Sequence, residues 1–397
     1  MKKNSIALAI VALSAPAFAG DVTVYGILDS GYSNTTREVT QTNGTSIKMG
    51  KAAIAWSQCV TSRLGVLASE DLGGGMKVTV KVETGLTSNP MGGITQGDNT
   101  TFYKTGAPGG SLATNGTTQN STVLGDRELN ATLDFGQGTA LKIGFGSSPI
   151  RDFTFAYDSA LQGNFVGSLI TTDPITSNNR STAISLIQQM GPVKASIGVM
   201  RNTDTIDRGA DQQWPGGTFT GLGNGYQAAL QYVDKALSIG LAYQSAERTT
   251  TAAFGNAANT NDLTTKVGVF GVSYDFGFLK LTGQYADIKL DDSIAANAVG
   301  EGKRSHENLG VSVPVGAGTL FAQISKGKQD QVAAATVASV SRDLSGFTVG
   351  GKYNFTKGTY AYVSYGQSEL KVGAATDNVA NRGVKANQYT IGLVKVF

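Results

Sequence analysis

Met76-Lys77-Val78-Thr79-Val80-Lys81-Val82-Glu83-Thr84-Gly85-Leu86 alternates along most of its length. Lys77, Thr79, Lys81 and Glu83 point one way; Val78, Val80 and Val82 point the other. Successive side chains of an extended chain emerge on opposite faces, so this stretch predicts a strand with one apolar and one polar face. Leu72-Gly73-Gly74-Gly75 stands directly before it as a tight turn, and another alternating run precedes that. Strand, tight turn and strand make a hairpin, and the rest of the chain repeats the unit.

Leu141, Ile143 and Phe145 alternate with Lys142, Gly144 and Gly146; Leu279, Leu281 and Gly283 alternate with Lys280, Thr282 and Gln284. Tyr389, Ile391, Leu393 and Phe397 share one face near the end. Sixteen such segments are predicted, over approximately 22–34, 54–71, 76–86, 127–135, 139–147, 180–190, 193–203, 224–234, 236–247, 266–276, 278–289, 306–314, 318–327, 345–355, 359–371 and 387–397. Many are near the ~9–11 residues that a tilted strand needs to cross a bilayer.

The connections alternate between two kinds. Seven are tight: 72–75, 136–138, 191–192, 234–235, 277, 315–317 and 356–358. Eight are long: roughly 35–53, 87–126, 148–179, 204–223, 248–265, 290–305, 328–344 and 372–386. A sheet in lipid must close on itself so that every backbone group is paired. Bacterial outer-membrane barrels do this with an even strand count, short periplasmic turns and long external loops. The expected fold is therefore all-β: a closed antiparallel transmembrane β-barrel of about sixteen strands, with both chain ends on the periplasmic side. Aromatic residues near strand ends (Tyr25, Phe135, Phe276, Phe278, Phe355 and Tyr360) suit girdles at the two membrane interfaces.

Composition agrees. Gly is 52 of 397 residues, Pro only 8, and charged residues 15%. No apolar run after the leader is long enough for a transmembrane helix. Lys2 and Lys3, an apolar run from Ile6 to Leu13 and Ala17-Phe18-Ala19 describe a secretory signal peptide over residues 1–19. Residues 20–397 then read as one barrel without linker or composition shift. The balance is near neutral, with 32 basic and 29 acidic residues, and gives no electrostatic case for nucleic acid. Cys59 and His306 are the lone cysteine and histidine, so neither a disulfide nor a Cys/His metal site is expected, and no cofactor. A Ser-His-Asp hydrolase would depend on His306, and no G-x-S-x-G occurs. A barrel used mainly for adhesion would need a plugged lumen, whereas most strands offer a wide polar face.

Val22-Thr23-Val24-Tyr25-Gly26-Ile27-Leu28-Asp29 resembles the first strand of β-proteobacterial general porins. Ser62-Arg63-Leu64-Gly65 running into Ser69-Glu70-Asp71-Leu72-Gly73-Gly74-Gly75-Met76-Lys77 is similar to that family's most distinctive stretch, and terminal Phe397 resembles its end signature. The resemblance implies a homotrimer of sixteen-stranded barrels in outer-membrane lipid and lipopolysaccharide, passing ions and small hydrophilic solutes passively. It implies that the third long loop, 148–179, folds inward and faces arginines at a constriction, where opposed charges screen solutes. By position these are Arg63, Arg127 and Arg180. Arg63 falls on the polar face. Arg127 shares the parity of Leu129, Ala131 and Leu133, so it reaches the lumen only above the regular ladder or at a bulge. For Arg180, the apolar run Ala183–Ile187 leaves the register open. Lys77, Lys81, Lys142 and Lys194 fall on the lumen side by alternation, and Asp152, Asp158 and Asp173 are the loop's acids. The resemblance also makes Phe397 a signal for the outer-membrane assembly machinery. A weak anion preference is expected from the basic wall.

Overall fold

The computed structural model describes residues 20–397 except 42, 87–124, 162, 164, 178, 202–217, 221–223, 252–260, 293–301, 332–339 and 373–380. The expected leader and most of the second long loop lie outside the described residues. The first ten strands are β1 Asp21–Gln41, β2 Ser46–Trp56, β3 Arg63–Gly73, β4 Met76–Gly85, β5 Glu128–Asp134, β6 Thr139–Ser147, β7 Arg180–Met190, β8 Val193–Met200, β9 Thr218–Thr220 and β10 Gly225–Val233. The remaining eight are β11 Leu237–Thr251, β12 Asn261–Asp275, β13 Lys280–Asp292, β14 Gly302–Val315, β15 Gly318–Gln331, β16 Val340–Thr356, β17 Thr359–Val372 and β18 Asn381–Val396.

All of them belong to one 18-stranded antiparallel sheet, which closes where β1 pairs with β18. β2 and β3 pair with the two halves of β1 and form one barrel strand interrupted at 57–62. β9 continues β10 along β11. The eighteen segments are therefore sixteen strands of a closed barrel.

The faces are inverted relative to a water-soluble protein. Leu309 is 59% exposed and points out, while its neighbour Asn308 is 5% exposed and points in. Ile324 and Gln323, and Val363 and Ser364, repeat the arrangement. Lipid covers the apolar outside, and polar side chains line the lumen. Phe135, Phe276, Phe278 and Phe355 ring the short-turn end on the outside; Tyr226, Tyr243, Tyr285 and Tyr389 lie farther up the outer face. Tyr25 and Tyr360 correct the girdle expectation. They take the inward parity of Asp29 and Tyr362, because Val22 and Val24 claim the outer face of β1.

The first long loop is also corrected. Residues 35–53 form a hairpin extension of β1 and β2, paired from Ser30–Trp56 to Thr40–Ser46. Gly44 turns it at φ +82°, and the Thr45 amide donates to Asn43 Oδ1 at 2.9 Å. Beyond the lipid the outer face no longer has to be apolar, and Val39, Leu344, Leu370 and Val384 pack inward instead, so the outward hydrophobic period fades while the ladder continues. The same effect extends β13 to β18 past their expected outer ends.

Segment 148–179 contains three short helices, α1 Pro149–Ala156, α2 Leu169–Thr172 and α3 Pro174–Ser177. Ser148 caps α1, accepting from the Arg151 amide at 3.3 Å, and Pro149 pre-sets its first turn. The segment turns into the barrel. Phe153 and Tyr157 pack on the inner face of β11 and β12, where Gly240 and Gly271 leave room for the rings. Gln284 on β13 donates to the Phe153 and Thr154 carbonyls at 3.0 and 2.8 Å. Phe165 stacks on Phe321 of β15, and Gly167 touches the Phe347 carbonyl on β16, leaving no space for a Cβ.

Candidate channel constriction

Facing this segment across the lumen is the inner wall of β3 to β6, where Glu83 gathers the cations. Arg127 Nε donates to Glu83 Oε1 at 2.8 Å, and the Tyr25 hydroxyl donates to Oε2 at 2.8 Å. Arg63 and Lys81 lie at 4.0 and 3.8 Å from the same carboxylate. Beside them Lys142 pairs with Glu128 at 3.7 Å, and Glu128 also accepts from the Ser147 amide and hydroxyl. Arg127 stands one residue before β5, and its backbone amide still bonds the Glu83 carbonyl at 3.1 Å. The chain leaves the ladder there, so the side chain turns inward despite its parity with outward Leu129.

The other sequence candidates are placed less centrally. Lys77 sits at the short-turn mouth of β4, opposite Asp71 and Asp134. Arg180 pairs with Ser147 at the top of β7, is buried, and has the parity of outward-facing Ile184 and Leu186. Asp152 lies in the first turn of α1, where Lys142 and Arg151 act on it as opposite charges. Asp158 accepts from the Ser168 hydroxyl at 3.2 Å.

Asp173 does not face the arginine wall. It is fully buried on the opposite side, where Oδ2 accepts from Arg304 at 2.6 Å and meets His306 Nε2 at 2.9 Å. Burial pushes its carboxyl up, but Arg304 and then His306 outweigh this and hold it well below the usual range. It ties the segment to β14 instead of setting a field across the lumen.

Sequence reasoning did not single out Arg151, Glu83, Asp29 or the Arg304–His306 pair. Arg151 lies over the Phe155 ring at 4.6 Å. Burial and the nearby Arg127 push it down to about 10, so it stays charged at neutral pH. The narrow region thus carries Arg63, Lys81, Arg127, Lys142 and Arg151 against Glu83, Glu128 and Asp152: five cations, three acids and a net of two positive charges.

Asp29 fixes this wall from behind. Its fully buried carboxylate accepts from the Cys59 and Val60 amides at 2.6 and 2.8 Å and from the Tyr362 hydroxyl at 2.8 Å. Ser62 Oγ accepts from the Asp29 amide at 2.9 Å. These bonds hold the break at 57–62, and β3 resumes from it at Arg63. Asp29→Ala leaves two amides and a hydroxyl unpartnered, at about 1–3 kcal/mol each. The expected result is a barrel that unfolds at lower temperature in detergent by heat-modified electrophoresis, with Tyr362→Phe shifting it less. Equal stability of Asp29→Ala and the wild type would contradict this role.

A closed lipid-facing barrel with a polar lumen, narrowed by one of its own connections, is an outer-membrane diffusion channel. Comparison with known families matches the Gram-negative porin family over residues 6–392, and the chain belongs to that family. The outer membrane porin protein 32 of Delftia acidovorans is 27% identical over 405 residues, covering 99% of this chain and 98% of the relative. Among solved structures, the anion-selective porin from Comamonas acidovorans is similar at a TM-score of 0.64 and 20% identity, over 95% of this chain and 100% of that one. OmpT of Vibrio cholerae, solved in a trimer form, is similar at 0.60 and 15% identity, over 96% and 100%. The protein is a bacterial outer-membrane channel for passive diffusion, not an enzyme. Among the described residues no three or more His, Cys, Asp or Glu side chains cluster as metal ligands.

Proposed function

We propose that this porin works as a homotrimer that passes small anions in preference to cations, with selection at the gap between segment 148–179 and the β3–β6 wall. The observation that carries the reading is the excess of five cations over three acids around that gap. Arg63, Arg127, Lys81 and Lys142 are the attracting groups on the wall, and Arg151 adds to them from α1. Arg180 and Lys77 act at a distance, as charges of the outer and inner approaches. Asp152 lowers the field on the loop side, whereas Asp158 is turned toward the Ser168 hydroxyl and stands outside this group. The similarity to a porin described as anion-selective supports the same reading. Purified protein in planar bilayers tests it: conductance steps that close in groups of three are expected, and single independent steps would contradict the trimer.

Phe397 is read as the assembly signal. Its exposed ring lies over Gly26 on the outer face, and its amide and carbonyl bond Gly26 at 3.1 and 2.9 Å. Phe397→Ala is expected to lower the amount of folded porin in the outer membrane several-fold while leaving single-channel conductance unchanged. Full recovery of the variant in the membrane would sink the reading. Contact with lipopolysaccharide is supported by outward lysines beyond the upper aromatics, among them Lys289 and Lys303, which face each other on β13 and β14.

A further inference from the structure

Behind the constriction lies a side chamber of about 160 Å³, between one face of α1 and the inner wall of β6, β7, β8 and β10. It reaches toward the short-turn end: Lys194 is the second residue of β8 after its turn, and Gln231 lies two residues before the end of β10.

We propose that this chamber briefly retains small organic carboxylates of about six to ten non-hydrogen atoms, since a comparable ~150 Å³ cavity accommodates benzene. The proposal rests on the anion-passing reading and names a substrate class for it. Charge sets the sign. Lys142 and Lys194 line the chamber with Asp152 as the acid, and the α1 N-terminus adds partial positive charge at Ser147 and Pro149. Lys142 already has Glu128, whereas Lys194 has no ion-pair partner among the described residues.

The remaining lining excludes a bare inorganic ion as the best occupant. Phe153 and Ala156 of α1 face Ala183, Ile187 and Ala229 of the wall. This apolar half of the lining favours the apolar body of an organic anion over chloride. Ser185, Ser196 and Gln227 stand among them as hydrogen-bonding groups that orient a carboxylate near Lys194. A solute with a charged end and an apolar end satisfies both halves at once. A cation meets two lysines, and a solute much larger than the chamber stays in the main passage.

Benzoate is a suitable probe. Single channels in planar bilayers, with benzoate added from the short-turn side, are expected to show brief interruptions of the chloride current whose frequency rises with concentration. Lys194→Gln shortens their dwell time about tenfold, the loss of one charge-assisted contact. Ala229→Phe fills the chamber and removes them while chloride conductance persists. Lys352→Gln, a lumen lysine over Tyr360 on the far wall, leaves them unchanged. A channel that conducts chloride but shows no benzoate interruptions overturns this proposal alone, as do equal dwell times in Lys194→Gln and wild type. A protein that passes no current overturns the channel reading as well.

Discussion

Glu83→Gln is expected to raise the chloride-to-potassium permeability ratio about tenfold in dilute salt. Glu83 touches Arg127 and stands within 4.0 Å of Arg63 and 3.8 Å of Lys81, so it is the group that masks this wall. The amide keeps the size of the side chain and an acceptor for the Tyr25 hydroxyl. What changes is one unit of charge. An ion passing ~6 Å from it in a watery lumen feels about 0.7 kcal/mol, roughly threefold in local concentration. Chloride gains that factor and potassium loses it, which gives the tenfold ratio. Salt screens the effect, so it shrinks between 0.1 M and 1 M, where the Debye length falls from about 10 to 3 Å. Arg127→Gln is expected to move the ratio the opposite way. Glu369→Gln, an outward residue paired with Lys371 at 3.3 Å, is the control and leaves it unchanged. A ratio that stays constant or falls in Glu83→Gln would show that Glu83 does not mask the wall.

Asp173→Ala has the largest expected effect on gating. The wild-type carboxylate is buried with Arg304 and His306 and ties the inward segment to β14. Removing it breaks the buried ion pair with Arg304 and the contact with His306, which costs about 3–5 kcal/mol. Phe165, Tyr157 and Gly167 still dock elsewhere on the wall, so the barrel remains but the segment loosens at α2 and α3. Larger mean conductance with rapid flicker is expected, together with new protease cuts within 157–179. Unchanged, quiet conductance would mean that the segment is held without this anchor. The pH dependence follows from the sign of the shift. A carboxyl depressed in the folded state contributes stability that is fully present above its unfolded value, about 3.9, and is lost as pH falls through the lower folded value. The carboxylate should therefore lose its hold only in acid below about pH 4, where the wild-type channel is expected to take on the flicker that Asp173→Ala already shows at neutral pH. Wild-type conductance that stays quiet through strong acid while the barrel remains folded would contradict this anchor.

The barrel was legible because lipid forces a simple code on the strands. Val78, Val80 and Val82 had to face out, Lys77, Lys81 and Glu83 in, and Gly73 to Gly75 had to turn; all follow from period two and glycine. The code ends where the lipid ends. Thr35 to Thr40 hold Val39 as their one apolar side chain, so their pairing with β2 and β18 left no alternating hydrophobic signal. The constriction was legible only in part. Arg63 and Lys81 followed from alternation, and Arg127 broke it because its segment leaves the ladder. The partners were hidden for another reason. Tyr25 meets Glu83 across 58 residues, and Asp173 meets Arg304 across 131, distances over which no local pattern carries information. Asp173 stood in sequence as one loop acid among three, and only burial beside Arg304 separates an anchor from a channel-facing charge. Asp29 reads as a strand residue until the break at 57–62 places two free amides against it.

The most direct test of the account is the zero-current potential of the wild-type channel across a tenfold potassium chloride gradient at neutral pH. With two net positive charges at the gap, the potential should carry the sign of chloride passing faster than potassium, and Arg63→Gln/Arg127→Gln, which brings the count to zero, should bring the potential close to zero. A wild-type potential with the sign of a cation-preferring channel would contradict the account.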